Sequence, residues 1–342
     1  MQPDWQQFLT AQGAIIEGST VQHFGDVTAE LTATAKQSVL CDLSQFATLR
    51  VSGEDAQSFL QNLLSNDICE VSATRAQFSS FNTAKGRMLA TFLIWRDGED
   101  FLLQLPNPLA EPLRKKLSMY VLRAKVKITG DEIISLGVSG PLPSSLKDCT
   151  ELTPLGVSHI EKLATRVIRL SETHFMLCTT PTQAQTLWQI LASEAMPVGS
   201  ACWDWLNIRA GLPVILPQTQ EQFVPQMVNF DLTGGINFKK GCYPGQEIVA
   251  RMHYLGKLKR RMYLAHVESE IAPQPGDELY SEDMAGQASG MIANSAAAPN
   301  GGYDVLAVVQ IASHDAYGVH LGSLQGAVLN FAALPYSLPA PS

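Results

Sequence analysis

Residues 238–251 read FKKGCYPGQEIVAR: two lysines, one cysteine, a proline-glycine pair and a Gln-Glu pair. Pro244-Gly245 is a strong turn signal, because proline fixes φ at the first central position and glycine accepts the positive φ of a type II second position. Beyond it, Ile248, Val249 and Met252 predict a short helix with Glu247 in its first turn, where a carboxylate complements the helix dipole. Cys242 then stands beside a helix N-terminus, with Lys239 and Lys240 close in sequence and His253 within folding reach. Those neighbours favour a thiolate. The same residue types also fit an inert buried thiol or a metal ligand, and local chemistry leaves the three readings open.

The whole chain narrows the setting. Its 342 residues, 46% of them apolar, suffice for about two domains with real cores. A formal net charge of -8 argues against general coating of nucleic-acid duplexes, which needs a broad positive surface. No run approaches the roughly 18 apolar residues of a membrane helix, and MQPDWQQFLTAQGAIIEGS lacks the basic and apolar regions of a signal peptide. A cytoplasmic protein without membrane contact is expected, and a monomer. The six cysteines form no CxxC and the seven histidines no HxH or HExxH, so neither a disulfide framework nor a metal site is expected.

Along the chain, Ala56, Phe59, Leu60, Leu63 and Leu64 have helical spacing. The segment 75–106 reads as paired strands, with turns at Lys85-Gly86 and Asp97-Gly98. FLLQLPNPLAEPLRKKLSMYVLRAKVKI and HFMLCTTPTQAQTLWQILASEA share one pattern, a strand followed by a proline-marked helix start. Two interleaved α+β units over 1–260 are expected, joined through a Pro/Ser-rich connection at 130–156. From Leu258 the pattern changes to short strands punctuated by Gly, Asn and Asp, which predicts a C-terminal antiparallel β-barrel over 261–337. Within it, VLAVVQIA reads as a buried central strand.

Between Lys239 and Arg261 the local charge is +6, from Lys239, Lys240, Arg251, Lys257, Lys259, Arg260 and Arg261 against Glu247. Such a patch can focus an anion even on an acidic protein, and Lys257, Lys259 and Arg260 are its candidate anion-binding residues; a solvated hinge is the other reading. Trp203 and Trp205 would share a face in a strand and diverge in a helix. Either belongs to a core or offers a plane for a flat heterocycle such as a pterin. Gln226 and Asn229 carry donor and acceptor together, suited to a heterocycle edge or to capping a turn. No GxGxxG, P-loop or GxSxG pattern occurs, which removes dinucleotide, triphosphate and hydrolase elbow readings.

At FNTAKGRMLATF, RAGLPVI, FVPQMVNFDLTGGINFKKGCYPGQEIVARMHYLGKLKR and LPYSL the chain resembles the YgfZ group of folate-binding proteins, relatives of the glycine-cleavage T-protein. The resemblance spans about residues 35 to 337. It is most specific at Lys240, Gly241, Cys242, Tyr243, Gly245, Gln246 and Glu247. It implies an α+β, T-protein-like multi-domain ring with two α+β units, a C-terminal barrel and a central site for tetrahydrofolate or a related reduced folate. It further implies that Cys242 carries function and that Phe46 and Trp203 line the folate site, to which Gln226 and Asn229 are added as candidates from their donor-acceptor chemistry.

The implied role is support of iron-sulfur enzymes and of tRNA modification, notably methylthiolation; direct contact with tRNA is left open. The alternative is a folate-dependent one-carbon transferase or a thiol-dependent enzyme with an unknown acceptor. One departure bears on that choice. Aminomethyl transfer by the T-protein depends on an aspartate, and the similar segment here offers Leu89 and Ala90, so electrostatic help at the folate nitrogen is missing.

Overall fold

The apolar segment HFMLCT forms the strand His174–Thr179, and every one of its residues is buried. A strand covered on both faces needs no polar alternation, which is the pattern seen. The structure is a computed structural model describing residues 1–149, 151–254, 256 and 258–339. By contact the chain divides into two compact units, each drawn from three segments.

The first unit comprises Met1–Glu54, Glu70–Ala76 and Ile94–Leu206. Its larger sheet runs Val157–Ile160, Thr165–Arg169, His174–Thr179, Ile134–Ser139, Val39–Asp42, Met196–Val198, antiparallel except for the last pair. The helices Pro3–Ala11 and Pro181–Ala192 bring Trp5, Leu9, Leu187 and Trp188 into one core with Leu136, Val138 and Leu177. Proline opens each helix where its missing N–H costs nothing. Ile134–Ser139 corrects the expectation of a connection over 130–156. Its six residues are all buried and it pairs on both sides, and the Pro/Ser-rich part that follows stays in the first unit, with Leu146 and Cys149 in its core. In a second sheet, Phe46–Ser52 lies between Asp100–Pro106 and Lys127–Asp131, and the helix Asn107–Ser118 packs on it. Arg50 of that strand binds Asp97, Asp100 and Asp131, which ties down the hairpin at Asp97-Gly98.

The second unit comprises Asp55–Cys69, Gln77–Leu93 and Asn207–Ser342. It holds the helix Ala56–Gln61, the strand Gln77–Asn82, the helix Gln246–Tyr254 and a six-stranded antiparallel sheet. The sheet order is His320–Leu321, Glu278–Tyr280, Ala288–Ala297, Tyr303–Gln310, Arg260–Val267, Leu329–Ala332. Tyr303–Gln310 is central and almost wholly buried, as VLAVVQIA predicts. The expected closed barrel is corrected to a curled, open sheet. Its two end strands are two and four residues long and are joined by one isolated bridge, His320 to Val328, too little pairing to close a ladder. Among the described residues no helix is long and apolar enough to cross a membrane.

Candidate functional site

The loop 238–245 is fixed at several points, all within the second unit. Lys240 turns inward, only 8% exposed, and its ammonium donates to the carbonyls of Gln61 (2.7 Å), Leu64 (2.6 Å) and Asn66 (3.0 Å). These carbonyls lie at and just beyond the C-terminal end of the helix Ala56–Gln61, where backbone oxygens lack intrahelical partners and a cation is favoured. Burial pushes the Lys240 pKa down to about 8. Tyr243 is buried with its ring 5.2 Å from the Lys240 ammonium, and burial raises its phenol well above the ordinary value.

Gly245 closes the loop. Its φ of +81° is the one the Pro-Gly turn demands, and a Cβ there would lie 2.5 Å from both the Gly86 Cα and the Thr83 carbonyl oxygen. The two turns read separately from sequence, Lys85-Gly86 and Pro244-Gly245, thus pack backbone to backbone. The helix Gln246–Tyr254 begins at once, with Val249 N–H donating to the Gly245 carbonyl and the Gln246 side chain reaching back to the Lys240 carbonyl.

Between these anchors Gly241 and Cys242 are exposed. An inert buried thiol is excluded for Cys242. The lysines do not act as a matched pair: Lys239 is exposed, while Lys240 is occupied by three carbonyls. Cys69 is exposed too, whereas Cys41, Cys149, Cys178 and Cys202 are buried. Among the described residues no three His, Cys, Asp or Glu side chains gather as metal ligands would.

Gln226 and Asn229 both belong to this unit. Asn229 is fully buried with φ +59° and donates through Nδ2 to the Met262 carbonyl (2.8 Å) and the Tyr336 hydroxyl (3.3 Å). Tyr336 in turn donates to the Gly211 carbonyl at 2.9 Å. Three stretches that carry the family resemblance, around Gly211, Asn229 and Tyr336, are therefore one hydrogen-bonded brace. Gln226 donates through Nε2 to the Val249 carbonyl (2.6 Å) and lines a cavity of about 580 Å³.

The basic stretch is less available than its sequence suggests. Arg261 is a half-buried bidentate partner of Asp231 (2.7 and 2.8 Å), and Lys240 is committed. Lys239, Arg251 and Lys259 are exposed and Arg260 half-buried; Lys257 lies outside the described residues.

Phe46 and Trp203 belong to the first unit. Phe46 is half-buried and borders a cavity of about 400 Å³. Trp203, on the helix Ser200–Arg209, is 2% exposed and meets the His174 ring edge-on. Its ring also fills the space above Gly137, where a Cβ would lie 2.4 Å from it. Trp203 thus shapes the core, and Phe46 has the more accessible ring. Sequence reading missed Gln61, Leu64 and Asn66, whose contribution is through backbone oxygens that no side chain announces. Leu89 and Ala90 are both buried, so no carboxylate stands at that position.

The GCVT N-terminal domain family model matches residues 6–233. The tRNA-modifying protein YgfZ of Shigella boydii serotype 4 is 31% identical over 254 residues, covering 72% of this chain and 78% of that protein. YgfZ of Escherichia coli O157:H7 is 32% identical over 262 residues with the same coverage. Among solved structures, the glycine cleavage system aminomethyltransferase T from Bartonella henselae superposes with a TM-score of 0.80 at 18% identity, over 97% of this chain and 96% of that one.

Proposed function

Because the chain belongs to the YgfZ family of GCVT-domain proteins, we propose that it is a cytoplasmic, folate-binding accessory protein that supports iron-sulfur enzymes and tRNA modification, including methylthiolation, through Cys242. The observation that carries this reading is the exposed thiol on a loop held rigid on both sides, by Lys240 before it and by Tyr243 and Gly245 after it. A thiol on a loop anchored in this way reaches a partner without the loop first having to be ordered, the arrangement expected of a functional group. Tetrahydrofolate or a related reduced folate is assigned as the small-molecule ligand. Within the first unit, Phe46 offers it a ring plane and Trp203 shapes the backbone around Gly137.

A glycine-cleavage activity is not proposed, since Leu89 and Ala90 supply no charge to stabilise an iminium or move a proton. The test is complementation of tRNA methylthiolation in cells lacking the native protein. Cys242→Ala is expected to fold, bind reduced folate and fail to complement. Full complementation by that variant would remove Cys242 from the mechanism, and failure to bind any reduced folate would remove the cofactor.

A further inference from the structure

We propose that the cavity of the second unit, beside the helix Gln246–Tyr254, is a binding site for a planar, uncharged or cationic heterocycle that carries an N–H donor, with a free nucleoside as the representative class. The cavity holds about 580 Å³, within the size range of small-molecule sites.

Three features define its ligand. The first is an unpartnered acceptor. Gln226 is 3% exposed and lines the cavity, and its Nε2 is fixed by the Val249 carbonyl at 2.6 Å, which identifies Oε1 as the other end of the amide. Oε1 is buried and has no partner among the described residues. A buried carbonyl oxygen left unpaired is costly, so a ligand N–H is the group it selects.

The second feature is two flat walls. His253 stacks on Phe238 at 3.8 Å with 14° between the planes, and His314 on Tyr263 at 3.7 Å and 9°; all four line the cavity. Paired rings present broad planar surfaces, which favour a planar guest.

The third is charge. Arg261 is bidentate to Asp231, and Asp315 adds a second carboxylate 2.8 Å from His314 Nδ1. Among the described lining residues carboxylates outnumber the one guanidinium, which is already paired. Among the described lining residues an anionic ligand, including the folate glutamate tail, meets no unpaired guanidinium or ammonium.

The test titrates the full chain with adenosine, with AMP and with 5-formyltetrahydrofolate, following the ring resonances of His253 and His314 by NMR and heats of binding by calorimetry. Adenosine is expected to shift both histidines, AMP to bind at least about tenfold more weakly, and the folate to leave adenosine binding unchanged. Gln226→Leu should abolish adenosine binding. Because that change also frees the Val249 carbonyl, His314→Ala serves as the second variant: it alters one wall without touching Gln226 and should weaken adenosine about tenfold with the fold retained. The proposal fails if no nucleoside shifts either histidine, if AMP binds as tightly as adenosine, or if His314→Ala has no effect. Competition by the folate would make this the folate site, and binding of a ribo-oligonucleotide without the nucleoside would make it an RNA surface; either overturns the proposal while leaving the Cys242 test untouched.

Discussion

The Lys240 ammonium lies 2.6 Å from the carbonyl oxygen of Leu64, 176 residues away in sequence, while Cys242 two positions on is exposed. One loop therefore places a lysine in the interior and a thiol at the surface. Lys240→Met would leave the Gln61, Leu64 and Asn66 carbonyls without their donor, and a loss of about 2 to 4 kcal/mol is expected, since buried groups stripped of partners cost about 1 to 3 kcal/mol each. Urea denaturation measures it. Lys240 has a folded pKa of about 8, below the unfolded value of about 10.4, so burial opposes its charge. The linked contribution is fully present above about 10.4 and declines as pH falls through about 8, so wild type should gain stability relative to Lys240→Met between those limits.

Gly245 is the narrowest point of the site. In Gly245→Ala the new Cβ would press on Gly86 and Thr83 at 2.5 Å, and φ of +81° would itself be strained. Backbone cannot yield as a side-chain tip can, so destabilisation of roughly 2 kcal/mol or more and loss of complementation are expected together. An alanine variant with native melting temperature and full complementation would show that the two turns need not touch.

For the folate, Phe46→Ala is the informative change. Trp203 is core, and Trp203→Ala should cost roughly 3 to 5 kcal/mol of stability, which confounds any binding loss. Phe46 is half-buried, and its removal should weaken reduced folate at least about tenfold with little change in melting temperature. Neutralising Lys257, Lys259 and Arg260 should weaken polyglutamylated folate more than the monoglutamate. That difference should shrink as salt rises, because the Debye length is about 8 Å at physiological ionic strength.

The first unit contains two opposed titrations. Burial lowers His174 to about 4, so an unfolded chain gains that proton first and stability falls as pH drops from about 6.5 to 4. Burial raises Asp204 to about 7, so the unfolded carboxyl ionises first and stability falls as pH rises from about 4 to 7. His174→Gln should flatten the acid arm and Asp204→Asn the other, each by about 2 kcal/mol; Asp204 keeps some exposure, which moderates its share. Denaturation of the two variants at pH 4.5, 6 and 8 checks the signs independently.

These contacts mark where sequence reading succeeds and stops. Asp97-Gly98, Pro244-Gly245 and the proline-led helices are legible because their backbone geometry is dictated by the residues themselves. Ile134–Ser139 escaped because a strand buried on both faces shows no alternation, and the Pro/Ser tract after it dominates the local composition. The open C-terminal sheet escaped because closure depends on how two short end strands pair, which periodicity does not report. Lys240 looked like a neighbour of the thiol because sequence shows its two-residue separation from Cys242 and hides the carbonyls it meets after folding.

The Cys242 prediction follows from that contrast. The thiols divide into exposed Cys242 and Cys69 and four buried ones, and burial pushes Cys178 up to about 12 and Cys202 up to about 11. Thiolates are the species that alkylate. At neutral pH iodoacetamide should therefore label Cys242 early and Cys178 only on unfolding, as read by peptide mass spectrometry. Burial and the neighbouring Asp67 carboxylate raise the Cys69 pKa, so Cys69 should label more slowly than its exposure alone would allow. A buried thiol replaced by serine would cost about 1 to 3 kcal/mol, whereas at an exposed loop position Cys242→Ser should change the melting temperature little. Retained stability and folate binding with lost methylthiolation would separate the thiol's chemistry from its packing. A large fall in melting temperature for Cys242→Ser would instead mean that the loop closes over the sulfur in solution, and its role would then be structural.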